Sequence, residues 1–97
     1  MIAYKGFHPG MVCIGYQFQM GLNMTEEANC RKNGFHCAED PLDCLSYYGD
    51  ADHSEYYIVN AGGDIDEDEF DSKISCTELT VLRRLTKEEL FTLGLAF

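Results

Sequence analysis

Ile2, Tyr4 and Phe7, set around Ala3, Lys5 and Gly6, predict a short first strand that stops at the turn pair Pro9 and Gly10. Val12, Ile14, Tyr16 and Phe18 then alternate with Cys13, Gly15, Gln17 and Gln19, the clearest period-two stretch in the chain, and predict a second strand. Residues 21–33 are mixed, with Thr25, Glu26, Glu27 and Ala28 suited to a short helical turn or a loop. Gly34, Phe35, His36 and Cys37 predict a short strand ahead of a marked helix start. Asp40 suits the N-cap, and Pro41 suits the first helical position, where its missing N–H costs nothing. Leu42, Leu45 and Tyr48 or Ser46 follow at helical spacing and Gly49 stops the run, giving a helix over 41–48 whose apolar side closes over the sheet.

Tyr56, Tyr57, Ile58 and Val59 form a β-rich segment ended by Asn60, Ala61, Gly62 and Gly63. Residues 74–82, with Cys76, Thr77, Thr80 and Val81, predict a further strand. Thr86 followed by Glu89 matches a capping box, in which each side chain satisfies the other's backbone donor. The helix it opens carries Leu90, Phe91 and Leu93 to the core, with Gly94 near its end. This order predicts a single α+β domain over 1–97, an antiparallel or mixed sheet packed with two short helices.

The length of 97 residues sharpens that picture. A chain of this size buries roughly 60–65 % of its unfolded surface, enough for one modest core and too little for a large enclosed active site. A self-contained nucleotide-dependent enzyme is therefore not expected. The 45 % apolar content and 12 % aromatic content belong to folded chains, since disordered acidic chains are poor in aromatics. No apolar run approaches the roughly 18 residues of a membrane span, and Met1, Ile2, Ala3, Tyr4 and Lys5 lack the order of a signal peptide. A cytosolic protein is expected. The odd set Cys13, Cys30, Cys37, Cys44 and Cys76 argues against a disulfide framework and for buried thiols acting as small hydrophobes.

Charge changes the picture more. The net charge is −10, but residues 1–38 carry +1 and residues 72–97 carry +1. The imbalance lies between them, in Glu39, Asp40, Asp43, Asp50, Asp52, Glu55, Asp64, Asp66, Glu67, Asp68, Glu69 and Asp71, with no Lys or Arg interleaved. Asp64, Asp66 and Asp68 have the spacing of the first three ligands of an EF-hand loop. Glu69 then stands where the loop needs glycine, and Ser75 where it needs a bidentate glutamate. Cys30, His36, Cys37 and Cys44 lie close together without the paired spacing of a zinc site, and His8, His36 and His53 form no signature with a cysteine nucleophile. No glycine-rich phosphate loop and no basic stripe is present, so no cofactor, no metal and no direct nucleic-acid binding is expected.

The acidic block remains as an interaction surface. Like charges repel and destabilise a compact state, so a face that only served solubility would more simply mix its signs. In an extended segment, side chains two residues apart share a face roughly 6.6 Å apart, so Asp64, Asp66 and Asp68 would form a row. Duplex DNA presents about one phosphate charge per 1.7 Å of axis. A basic channel built for phosphates would accept such a row, with fast steering and a steep salt dependence.

Tyr4, Lys5, Gly6 and Phe7, then Gly34, Phe35, His36 and Cys37, then Pro41, Leu42 and Asp43 with Tyr47 and Tyr48, give the chain a resemblance over roughly residues 2–60. It resembles small phage and prophage proteins, type I-F anti-CRISPR proteins of the DNA-mimic kind. The resemblance implies a stoichiometric, non-enzymatic inhibitor in the host bacterial cytoplasm. Its partner would be the crRNA-guided surveillance (Csy) complex, bound between the large subunit and the adjoining backbone subunit where target duplex enters. The twelve carboxylates are the expected partner-binding residues. Two alternatives remain at this point. Gly34, Phe35 and His36 ahead of Tyr47 and Tyr48 are also similar to a strand–helix element of ADP-ribosyltransferases, which would make the chain an enzyme modifying a CRISPR subunit; the other alternative is an acidic metal-binding module.

Overall fold

The inward positions of two long strands organise the molecule. The computed structural model describes residues 1–13, 15–28, 33–44, 54–68 and 72–97. Strand β1 spans Ile2–Phe7, β2 Val12–Cys13, β3 Tyr16–Gln17, β4 Gly21–Met24, β5 Phe35–Ala38, β6 Glu55–Glu67 and β7 Lys73–Leu85, and helix α1 spans Lys87–Ala96. Strands β6 and β7 pair antiparallel from Tyr56–Leu85 to Glu67–Ile74, with register shifts after Ile58 and after Gly62. Tyr57, Val59 and Ala61 of β6 face Leu79 and Val81 of β7 in one buried cluster. At the first shift Leu82 is the extra residue, and it lies 46 % exposed. At the second, Gly63 and Asp64 oppose Thr77. Gly63 has φ +69° and a Cβ there would come within 2.2 Å of the Thr77 hydroxyl, so the bend needs glycine.

That bend lets the sheet roll up. Strand β1 pairs with the first half of β6, from Ile2–Asn60 to Phe7–Glu55, and β5 pairs with the start of β7, from Phe35–Cys76 to Ala38–Lys73. Strands β1 and β5 then meet at Tyr4–Ala38, which closes the ring β1–β6–β7–β5. Strand β4 pairs with β7 from Gly21–Val81 to Met24–Glu78, beyond the end of β5. The short β2–β3 hairpin covers the interior. Its neighbour Phe18 packs at steep ring angles 5.0 Å from Phe7 and 4.9 Å from Phe35, a geometry favourable to aromatic rings.

Helix α1 begins at the expected capping box. Thr86 accepts from the Glu89 N–H at 3.1 Å, and Glu89 accepts from the Thr86 N–H at 3.0 Å. Leu90 is wholly buried with Ala38, Cys44, Tyr56 and Leu85, on the face of the sheet opposite the first cluster. The architecture is mostly antiparallel sheet with this C-terminal helix, broadly α+β. Among the described residues no helix is long and apolar enough to cross a membrane.

Several expectations change. In β1 the buried residues are Ala3, Lys5, Gly6 and Phe7, whereas Ile2 is 55 % exposed, because ring closure turns the face of Ala3, Lys5 and Phe7 inward. The alternating stretch from Val12 is no continuous strand but a tight hairpin, since Gly15 at φ +73° turns the chain between Cys13 and Tyr16. Residues 21–24, in a stretch whose mixed pattern predicts no strand, form one, drawn into the sheet by β7. Strand β6 does not end at Gly62 and Gly63 but continues through the acidic residues to Glu67. Of the predicted helix over 41–48, the structure describes the entry: Leu42 N donates to Asp40 Oδ1 at 3.0 Å and Cys44 N to the Pro41 carbonyl at 3.2 Å. Residues 45–48 lie outside the described residues. Cys13, Cys37, Cys44 and Cys76 are buried free thiols, and burial pushes the Cys44 thiol up to about 12, which keeps it protonated at neutral pH.

Candidate partner-binding surface

The strand pairing that closes the ring also decides where the carboxylates go. Asp64, Asp66 and Glu67 lie on the last part of β6 and are exposed, with Asp68 half-buried just beyond. The backbone there is held firmly. Asp64 N donates to the Thr77 hydroxyl at 2.8 Å, Asp66 and Glu67 pair with Ser75 and Ile74, and Asp68 N donates to the Lys73 carbonyl at 3.0 Å. Charges on such a ladder keep their spacing when a partner approaches, so little ordering entropy remains to be lost on binding.

Ser72 brings a second group to the same end of the molecule. Its carbonyl accepts from Glu39 N at 3.0 Å and its hydroxyl accepts from Asp40 N at 2.9 Å. That hydroxyl in turn donates to Asp43 Oδ2 at 2.6 Å. Glu39, Asp40 and Asp43, distant in sequence from residues 64–68, therefore join them around the tip of the β6–β7 hairpin. Asp40 and Asp43 also have structural duties here, one holding the turn into Leu42 and the other holding Ser72.

Glu55 is not part of this group. It sits at the opposite end of β6, accepts from Gly10 N at 3.3 Å and Met11 N at 3.1 Å, and lies 3.8 Å from Arg84. Asp50, Asp52, Glu69 and Asp71 lie outside the described residues, as do Cys30 and His53. The block without a cation is thus a property of the chain and not of the surface. Strand β7 returns Arg84 to one end of β6 and Lys73 to the other, and sequence reading confined to consecutive residues missed both.

Among the described residues no three His, Cys, Asp or Glu side chains are grouped to hold a metal ion. His36, Cys37 and Cys44, weighed as zinc ligands from the sequence, sit with Cys37 and Cys44 buried and protonated. The Cys37 thiol is pushed well up by its contact with Cys76 and by burial.

A family model described as a domain of unknown function (DUF7666) matches residues 1–93, nearly the whole chain. No match was found among curated proteins or among solved structures.

Proposed function

The chain belongs to the DUF7666 family, a domain of unknown function, and from its surface we propose that it is a non-catalytic binding protein whose acidic hairpin tip competes with duplex DNA for a basic surface. One observation carries this reading: exposed Asp64, Asp66 and Glu67 stand on a paired strand, with Glu39, Asp40 and Asp43 tied to the same end through Ser72. Fixed carboxylates at strand spacing offer a lysine- and arginine-lined channel much of what a phosphate backbone offers. The resemblance drawn from the sequence narrows the partner to a type I-F crRNA-guided surveillance complex, met in the host bacterial cytoplasm at the place where target duplex enters.

The test is a competition. Purified protein is added to the surveillance complex before labelled target duplex, in the absence of NAD. Stoichiometric loss of duplex binding is expected, and unchanged duplex binding sinks the reading. A variant combining Asp64→Asn, Asp66→Asn and Asp68→Asn is expected to bind the complex more weakly and with a flatter dependence on salt, since each lost charge removes part of the screened attraction. Unaltered affinity in that variant would remove the hairpin tip from the interface.

A further inference from the structure

Antiparallel register from the Tyr4–Ala38 pair would continue through Lys5 with Cys37 and Gly6 with His36, yet β1 and β5 pair only at Tyr4–Ala38 among the described residues. Beside this open seam lies a cavity of about 310 Å³, lined by Lys5, Gly6, Cys13, His36, Cys37 and Lys73 among others. Lys5 is 3 % exposed, the only fully buried charged side chain among the described residues. Its Nζ donates to the His36 carbonyl and stands 3.8 Å from Cys13 Sγ, with the Phe7 and Phe18 rings 5.4 and 5.2 Å away. An ammonium has three N–H donors and a thiol is a weak acceptor, so one carbonyl leaves this group short of partners. His36 Nε2 is also buried and has no hydrogen-bond partner.

The buried ammonium describes a site short of negative charge, and the bare Nε2 is a polar atom there without a partner. No carboxylate is among the described residues that line the cavity. Burial first, then the charges of Lys73 and Lys5, hold the His36 imidazole below its ordinary range. An anion seated there would oppose both lysines and favour a proton on Nε2. Besides His8, the remaining walls are the thiols of Cys13, Cys37 and Cys44 with Ala38 and Tyr4, which suit carbon better than a fully hydrated ion. An apolar cavity of about 150 Å³ holds benzene, so the space admits a ring with a charged substituent.

We propose that the seam cavity binds a small organic anion, a carboxylate on an apolar body, with Lys5 as its charge partner and His36 Nε2 as its second polar contact. Titration of the ¹⁵N-labelled full chain with benzoate tests this. Saturable shifts of the Lys5, His36 and Cys37 amides are expected, and benzamide, nearly the same shape without the charge, is expected to bind at least about tenfold more weakly. Lys5→Met keeps the stem and removes the charge, and is expected to weaken benzoate to a similar degree. Benzoate without a saturable effect, benzamide binding equally well, or shifts confined to residues away from the seam would each overturn the proposal. The comparison of benzoate with benzamide needs no variant, so it decides the matter even where Lys5→Met fails to fold.

Discussion

The two junctions that close the ring are built in opposite ways. The β6–β7 ladder runs from Tyr56–Leu85 to Glu67–Ile74, with backbone hydrogen bonds interrupted only at its two bulges. The β1–β5 seam has one registered pair, and beyond it a lysine side chain reaches a carbonyl across a cavity. The ladder is secured by backbone, so its end can display charge without losing shape. The seam is bridged by side chains, Phe7 packed at an angle on Phe18 and Phe18 in turn on Phe35 of β5, so it leaves room inside. Rigidity at one junction and vacancy at the other follow from the same closure.

The largest effect should come from removing what holds the seam. Phe7 is wholly buried, and Phe7→Ala is expected to cost about 3–5 kcal/mol, read as a lowered midpoint in chemical denaturation. A loss below about 1 kcal/mol would mean that pairing of β1 with β6 suffices and the contrast between the junctions is overstated. A smaller effect is expected from the ladder. Gly63→Ala places a Cβ against the Thr77 hydroxyl at a left-handed φ, for a cost on the order of 1–3 kcal/mol. Gly62→Ala is its control, with the nearest atom at 3.8 Å and an expected change within about 0.5 kcal/mol. Equal costs at the two glycines would show that the bend does not depend on Gly63.

The smallest effect concerns pH. The His36 imidazole has its proton affinity lowered by burial, then by Lys73 and Lys5, whereas in the unfolded chain it titrates near the ordinary 6.5. Below that value the unfolded state binds more protons than the folded state, so stability is retained above 6.5 and declines as pH falls through the lower folded value. Denaturation at about pH 7.5 and about pH 5.5 should show this decline, and His36→Gln should shrink it. An unchanged pH dependence in the variant would place the imidazole outside the seam's electrostatics.

Local rules revealed some parts of this molecule and not others. The Thr86 and Glu89 capping box and the strand at Phe35–Ala38 were legible because each depends on a few neighbouring residues. The continuation of β6 past Gly62 and Gly63 was not, since two glycines suggest a stop until β7 supplies a partner across a bulge. Hydropathy also misplaced Lys5. A lysine between Tyr4 and Gly6 suggests a solvent-facing position, and only closure of the sheet into a ring turns that face of β1 inward. For the acidic surface, residues 64–68 were legible as an extended row. The bond from Ser72 to Asp43, and the approach of Arg84 to Glu55, depend on contacts between distant parts of the chain, which no reading of consecutive residues contains.

Ring closure also sets an order in time. Strand β1 emerges ahead of β6 during synthesis, and that partner follows about fifty residues later, an interval of roughly 2–10 s at typical rates of 5–20 residues per second. Until then Phe7 and the Lys5 ammonium remain in water. The β6–β7 hairpin can form locally as soon as both strands are free of the ribosome, whereas joining β1 to it needs a contact distant in sequence, the slow kind. Strand β1, made ahead of β2–β7, must therefore wait for β6 before the ring can close.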